Sequence, residues 1–159
     1  MPSGTAPVEL EMDWQGETRF SGRCGSVEMT LDGSAQAGPT PVQAAAFGLA
    51  GCMAIDVVHI LTKGRFEVKA LRVRLHGERA PDDPKRYVKV DLHFTVRGDV
   101  PGDKVERALA LSREKYCSVW QSFRQDIPLT TTFEVAPQGD EGLRGGAGPR
   151  DSSPFERAP

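Results

Sequence analysis

Charge of one sign is what this sequence most plainly lacks. Lys and Arg number 20 against 22 Asp and Glu, a net of −2 over 159 residues. No strongly basic field therefore points to nucleic acid. No leader is expected from its opening residues either. MPSGTAPVEL has neither a charged start nor an apolar run, so no secretion signal is read and a cytoplasmic location is expected. Cysteine is scarce, at three residues. Without a leader the expected compartment is reducing, where thiols serve as reactive groups more often than as structural staples. No internal repeat is visible. Residues 137–159 are mostly Gly, Pro, Ser, Asp and Arg with little apolar content. Such a composition cannot bury enough surface to offset its ordering entropy, so a disordered tail is expected behind a single domain over residues 1–136.

What is present centres on Thr40 to Gly64, TPVQAAAFGLAGCMAIDVVHILTKG. Thr40 is a good N-cap, Pro41 suits the first helical position, and Gln43 completes a capping box. Lys63 suits the negative end of the helix dipole, and Gly64 suits a left-handed stop. At ~1.5 Å per residue the rod is roughly 35 Å long. Gly48 and Gly51 each cost about 1 kcal/mol against alanine inside a helix, so something is expected to pack very close to them. At ~100° per residue, Gly48, Cys52, Asp56 and His59 share one line, leaving Ala45, Leu49, Ile60 and Val57 or Val58 as the buried stripe. The segment is apolar and nearly long enough to span a membrane. Asp56, His59 and the caps argue against that, and no membrane partner is expected.

The remaining chain reads as strands and one more helix. Val8, Leu10, Met12 and Trp14 alternate with acidic residues, Thr18 to Ser21 forms a second strand, and Val27, Met29 and Leu31 a third. Leu71, Val73 and Leu75 lead through a Pro81–Pro84 turn to Val88, Val90, Leu92, Phe94 and Val96, the clearest hairpin in the sequence. Val105, Ala108, Leu109, Ser112, Tyr116, Val119, Trp120 and Phe123 follow a 3.6-residue period, with Cys117 beside that stripe. Leu129 to Val135 is a last strand. The order β-β-β-α-β-β-α-β with short turns predicts an α+β fold of antiparallel sheets, covered by both helices.

Two cysteines on separate helices form a dithiol pair if the helices meet. Cleaving a peroxide O–O bond takes a thiolate, a second thiol to trap the sulfenic acid, and a cation to favour the first thiolate. The plain alternative is that each free cysteine is a small hydrophobe.

GCMAIDVVHIL on a helix opened by Pro41, together with KYCSV, resembles the two cysteine motifs of the OsmC/Ohr family of thiol-dependent hydroperoxide reductases. The resemblance covers roughly residues 8–135, with elements in the same order. It implies an intertwined homodimer with the long helices at its centre and close-approach roles for Gly48 and Gly51. It also implies Cys52 as the peroxidatic and Cys117 as the resolving cysteine. Organic hydroperoxides would be the substrates, an external dithiol or small thiol the reductant, and no bound cofactor is expected. Family members carry a glutamate after the helix-opening proline that orients an arginine onto the thiolate. Val42 and Gln43 stand there in this chain, and Arg19 and Arg23 lie in the region where that arginine is expected. Gln43, Arg19 and Arg23 are therefore the expected thiolate-stabilising residues. The GC-x-AIDVV-x-IL-x-KGR run, ending at Arg65, is similar to a less-studied branch of the family.

Other residues read more plainly. Cys52, Asp56 and His59 on one helix face are a marginal zinc set, which a dimer could extend with Cys117, and no metal is expected. His76 and His93 point outward, Cys24 is incidental, and Arg72, Arg74, Arg79, Lys85, Arg86 and Lys89 make a basic, solvated hairpin face. Tyr116, Trp120 and Phe123 read as core. The competing functional reading is a non-enzymatic member of the same fold. Its dimer cleft would bind a small apolar or thiol-reactive ligand, or its cysteines would act as a redox sensor.

Overall fold

The computed structural model describes residues 5–136, and the expected tail at 137–159 lies outside the described residues. The chain divides into two compact units, one ending at Phe47 and the other beginning at Gly48.

In the N-terminal unit, β1 (Glu11–Trp14), β2 (Arg19–Cys24) and β3 (Val27–Asp32) form an antiparallel meander. The alternation read from the sequence is there, but its expected half-burial is not. Val8, Leu10, Met12, Trp14, Val27 and Met29 are all exposed. Period-two alternation determines which side chains share a face, not whether anything covers that face. Asp32, in contrast, is a buried carboxylate. Its Oδ1 accepts from Thr18 Oγ1 (3.0 Å), Ser34 N (2.9 Å) and Ser34 Oγ (2.8 Å), and its Oδ2 from Ala37 N (3.0 Å). The amides of Ala37 and Ser34 hold its carboxyl well below the usual carboxylate range. Those bonds pin the loop that delivers the chain to Thr40.

The long helix, α1 (Pro41–Lys63), starts as expected. Thr40 N donates to Gln43 Oε1 (3.0 Å) and Gln43 N donates to Thr40 Oγ1 (3.2 Å), a complete capping box. Its stop differs by one residue. Arg65, not Gly64, takes the left-handed conformation (φ 66°). Phe66 N then donates to Leu61 O (3.0 Å) and Arg65 N to Thr62 O (2.9 Å), closing a Schellman motif. Gly64 is closely packed instead, since an added Cβ would lie 3.0 Å from the Phe66 ring, which would have to give by a few tenths of an ångström.

In the C-terminal unit, β4 (Glu67–Arg79) and β5 (Tyr87–Asp99) make the expected antiparallel hairpin. Helix α2 (Gly102–Leu111), a π-helical turn (Ser112–Tyr116) and α3 (Ser118–Ser122) then lead to β6 (Leu129–Ala136). The mixed α+β architecture is as expected, with one difference in strand direction. β6 pairs parallel to β5, with Val90 opposite Leu129. A crossover through two helices is long enough to return the chain to the same end of the sheet, which a tight turn cannot do.

The core of this unit gathers Val90, Leu92, Phe94 and Val96 of β5, Val105, Ala108 and Leu109 of α2, and Leu49, Met53, Val57 and Leu61 of α1. Full burial of each large apolar side chain stabilises the fold by about 1.5–3 kcal/mol. By length and composition α1 could cross a bilayer, yet this stripe makes it a core element. The stripe bears out Leu49 and Val57 of the expected face and corrects the rest. Ala45 and Val58 are exposed and Ile60 is half-buried, because a helix apolar on nearly every side carries no periodic cue to its phase. His76 is exposed as expected, whereas His93 is half-buried and its Nδ1 shares a hydrogen bond with Thr132 Oγ1 (2.8 Å). Lys89 on the basic face is neutralised by Asp91 (3.1 Å) and Glu78 (3.4 Å).

Asp32 makes stability pH-dependent in a calculable direction. Its folded pKa is depressed, so its contribution is complete above the unfolded carboxyl value of about 3.9 and is lost as pH falls below that. The melting temperature of the natural protein should therefore drop more steeply between about pH 4 and pH 2 than that of Asp32→Asn. Parallel melting curves in the two proteins would remove this role.

Candidate active site: the Cys52–Cys117 pair

Cys52 is half-buried on α1, one position round from the core stripe, and Asp56 follows one turn later on the same line, also half-buried. His59, expected to share that face, is exposed. The second cysteine is positioned by a break in the second helix, where one continuous helix was expected. Ser112 is buried on the α2 stripe. Cys117 N donates to Ser112 O at 2.8 Å, a bond spanning five residues instead of four. One extra residue in a turn advances the phase by about 100°. Tyr116, which an unbroken helix would turn inward, is 50% exposed, and Cys117 takes its place at 0%. Cys117 itself is extended (φ −71°, ψ 94°) and caps α3, its Sγ accepting from Trp120 N at 3.3 Å. Trp120 is buried and Phe123 half-buried, as expected of core residues.

The result is a compact cluster. Cys52 Sγ, a carboxylate oxygen of Asp56 and Cys117 Sγ all lie within 4.8 Å of one another. Ser112 Oγ donates to Asp56 Oδ2 at 2.7 Å, and Ser118 Oγ is 4.0 Å from Cys52 Sγ. Burial pushes the Cys117 thiol up to about 12 against the opposing pull of the Trp120 amide, and neighbouring Cys52 and Asp56 raise it further. Cys117 therefore keeps its proton at neutral pH.

The residues expected to stabilise a thiolate have local roles in the N-terminal unit. Arg19 Nε lies 3.8 Å from Asp32 Oδ2, and its Nη2 lies 3.8 Å from Glu17 Oε2. Arg23 is exposed on β2, and Gln43 caps α1. Cys24 ends β2, exposed. The close packing expected at the α1 glycines is not found among the described residues of this chain. A Cβ on Gly48 would meet Val119 Cγ1 at an ordinary 3.9 Å, and one on Gly51 would meet nothing within 4 Å. Ser112 is the site residue whose role the sequence reading did not assign. A lone hydroxyl at a core position of an apolar stripe was the available signal.

The OsmC-like protein family model matches residues 31–132. Protein YhfA of Escherichia coli K12 is 36% identical over 131 residues, covering 80% of this chain and 98% of YhfA. A hypothetical protein from Aquifex aeolicus VF5 superposes with a TM-score of 0.79 at 30% identity, covering 85% of this chain and all of that one. An organic hydroperoxide resistance protein OsmC from Legionella pneumophila superposes at 0.64 and 16% identity, over 84% of this chain and 100% of that one, a likeness of fold alone. Matched by the family model over most of its described length, and by a relative over nearly all of that relative's own, the chain belongs to the OsmC-like protein family.

Proposed function

We propose that this protein is a cytoplasmic, homodimeric thiol peroxidase that reduces organic hydroperoxides without a bound cofactor. The observation that carries the reading is the pairing of two sulfurs of unequal exposure within 4.8 Å. Likeness in fold to a protein named for organic hydroperoxide resistance supports the substrate class.

The roles follow from access and protonation. Cys52, half-buried, is the sulfur a peroxide reaches first, and Cys117, wholly buried and protonated, waits behind it. The Cys52 thiolate attacks one peroxide oxygen and the O–O bond breaks. The departing alkoxide takes a proton and leaves as the alcohol, while Cys52 becomes a sulfenic acid. Cys117 sulfur then attacks the sulfenic sulfur, water leaves, and a Cys52–Cys117 disulfide forms. An external dithiol, itself oxidised to a disulfide, returns both cysteines to thiols. Arg19, Arg23 and Gln43 are the residues proposed to favour the Cys52 thiolate, by resemblance to the family pattern.

Cumene hydroperoxide should yield a Cys52–Cys117 disulfide detectable by peptide mass spectrometry. Supplied with a dithiol, each chain should complete many turnovers. Cys52→Ser should abolish consumption, and Cys117→Ser should leave a sulfenic acid that dimedone traps. A single oxidation event per chain would instead favour a redox sensor, and absence of the disulfide would end the peroxidase reading.

Protonated Cys117 also sets a pH dependence. Its raised pKa keeps the thiol form dominant below about 12. The thiolate fraction, and with it the rate of sulfenic acid capture, should rise about tenfold per pH unit between roughly pH 7 and 9. Single-turnover stopped flow measures this, and a flat profile would mean that Cys117 is not the attacking group.

Exposed apolar residues support the dimer. Phe47 (72% exposed) and Ile55 (70%) lie on α1, and Gly51 beside them is open to close approach. Sedimentation equilibrium should give twice the 17.3 kDa of one chain. Ile55→Glu should shift the population toward monomer, and a monomeric natural protein would remove this part of the proposal.

A further inference from the structure

We propose that reduced Cys52, Asp56 and Cys117 form a binding site for one thiophilic divalent cation of the zinc class. Reading along one helix face gave Cys52, Asp56 and His59, a set too poor to expect a metal. The π-helical turn alters that set by exchanging exposed His59 for buried Cys117, so two sulfurs and one carboxylate oxygen converge from separate elements of the same unit. Soft sulfur donors select zinc-like ions over magnesium or calcium, which demand oxygen cages. In a tetrahedron with Zn–S of about 2.3 Å the two sulfurs would sit about 3.8 Å apart, so sulfurs within 4.8 Å of each other close by about 1 Å or less.

The surroundings fit as well as the donors. Ser112 Oγ donates to Asp56 Oδ2 at 2.7 Å, the outer bond that orients a ligating carboxylate. Cys52 and Asp56 are half-buried, which leaves an approach and a fourth position for water, while Cys117 closes the inner side. Binding holds both sulfurs as metal-bound thiolates, any sulfur-bound proton passing to water, with no change of oxidation state. The cation thereby meets the cost of ionising a sulfur in the hydrocarbon core. Cation and disulfide need the same two sulfurs and exclude each other. The site stands on geometry and does not rest on the peroxidase reading.

Titrating Co²⁺ into the reduced, metal-stripped full chain tests this without peroxide. Thiolate-to-cobalt charge-transfer absorption and tetrahedral d–d bands should saturate at one equivalent, and Zn²⁺ should displace them. Cys52→Ser and Cys117→Ser should each weaken Zn²⁺ binding at least about a hundredfold, and Ser112→Ala about tenfold, as outer-shell changes do. His59→Ala should bind as the natural protein does. With Zn²⁺ bound, peroxide-driven disulfide formation should slow until a chelator is added. No thiolate-to-cobalt band at one equivalent, undiminished binding in either serine variant, or loss of binding in His59→Ala would overturn the proposal. If peroxide still forms the disulfide in protein that gives no cobalt band, the cation site alone falls.

Discussion

One hydrogen bond spanning five residues governs the arrangement of this site. Cys117 N donates to Ser112 O, and the turn it closes holds one residue more than an α-helical turn. Had the helix continued with four-residue bonds, Tyr116 would have followed Ser112 onto the inner face and Cys117 would have lain to one side. With the extra residue Tyr116 faces solvent and Cys117 enters the core. Ser112 also donates its hydroxyl to Asp56 on α1. A single serine thus sets the position of the second sulfur and ties it to the helix carrying the first. Single π-turns of this kind are rare and collect at functional sites, because their irregularity persists only where surrounding contacts enforce it.

That arrangement makes the two sulfurs chemically unequal. Cys117 lies in hydrocarbon, its burial favouring the neutral thiol, and the Trp120 amide that approaches it only partly offsets that preference. Cys52 sits at the edge of the same cluster, near the Ser118 hydroxyl and within reach of solvent. A dithiol built this way has a direction. In the proposed cycle the outer sulfur would meet reagents first, and the inner one would react once the outer has been changed.

What the sequence made legible followed from local rules. The Thr40–Gln43 capping box and the β4–β5 hairpin rest on side chains a few residues apart, and both stand as read. Properties with no local signature were not legible. Alternation carries no direction, so the parallel run of β6 beside β5 could not be read. Residues 48–61 are apolar on nearly every side, so the stripe was read only in part: Leu49 and Val57 stand as expected, while Met53 and Leu61 occupy places assigned to Ala45 and Ile60. The five-residue bond at Ser112 competes with a four-residue one through the same backbone atoms, and only tertiary contacts decide between them. Even so, a serine on an otherwise apolar stripe hinted that a polar partner waited there, and that partner is Asp56.

Asp56 also poses the electrostatic problem that any chemistry here must answer. A carboxylate within 4.8 Å of the Cys117 sulfur opposes its ionisation, adding to the burial that already raises that thiol. The donated Ser112 proton reduces that effect by stabilising the carboxylate charge locally, but it adds no positive charge to the cluster. Two thiolates beside a carboxylate would place three negative charges on a half-buried surface, which low local dielectric disfavours strongly. The reduced cluster is therefore stable only when positive charge accompanies it, either as protons kept on sulfur or as a bound cation replacing them. Oxidation removes the difficulty in another way, because a disulfide leaves Asp56 as the single anion of the three.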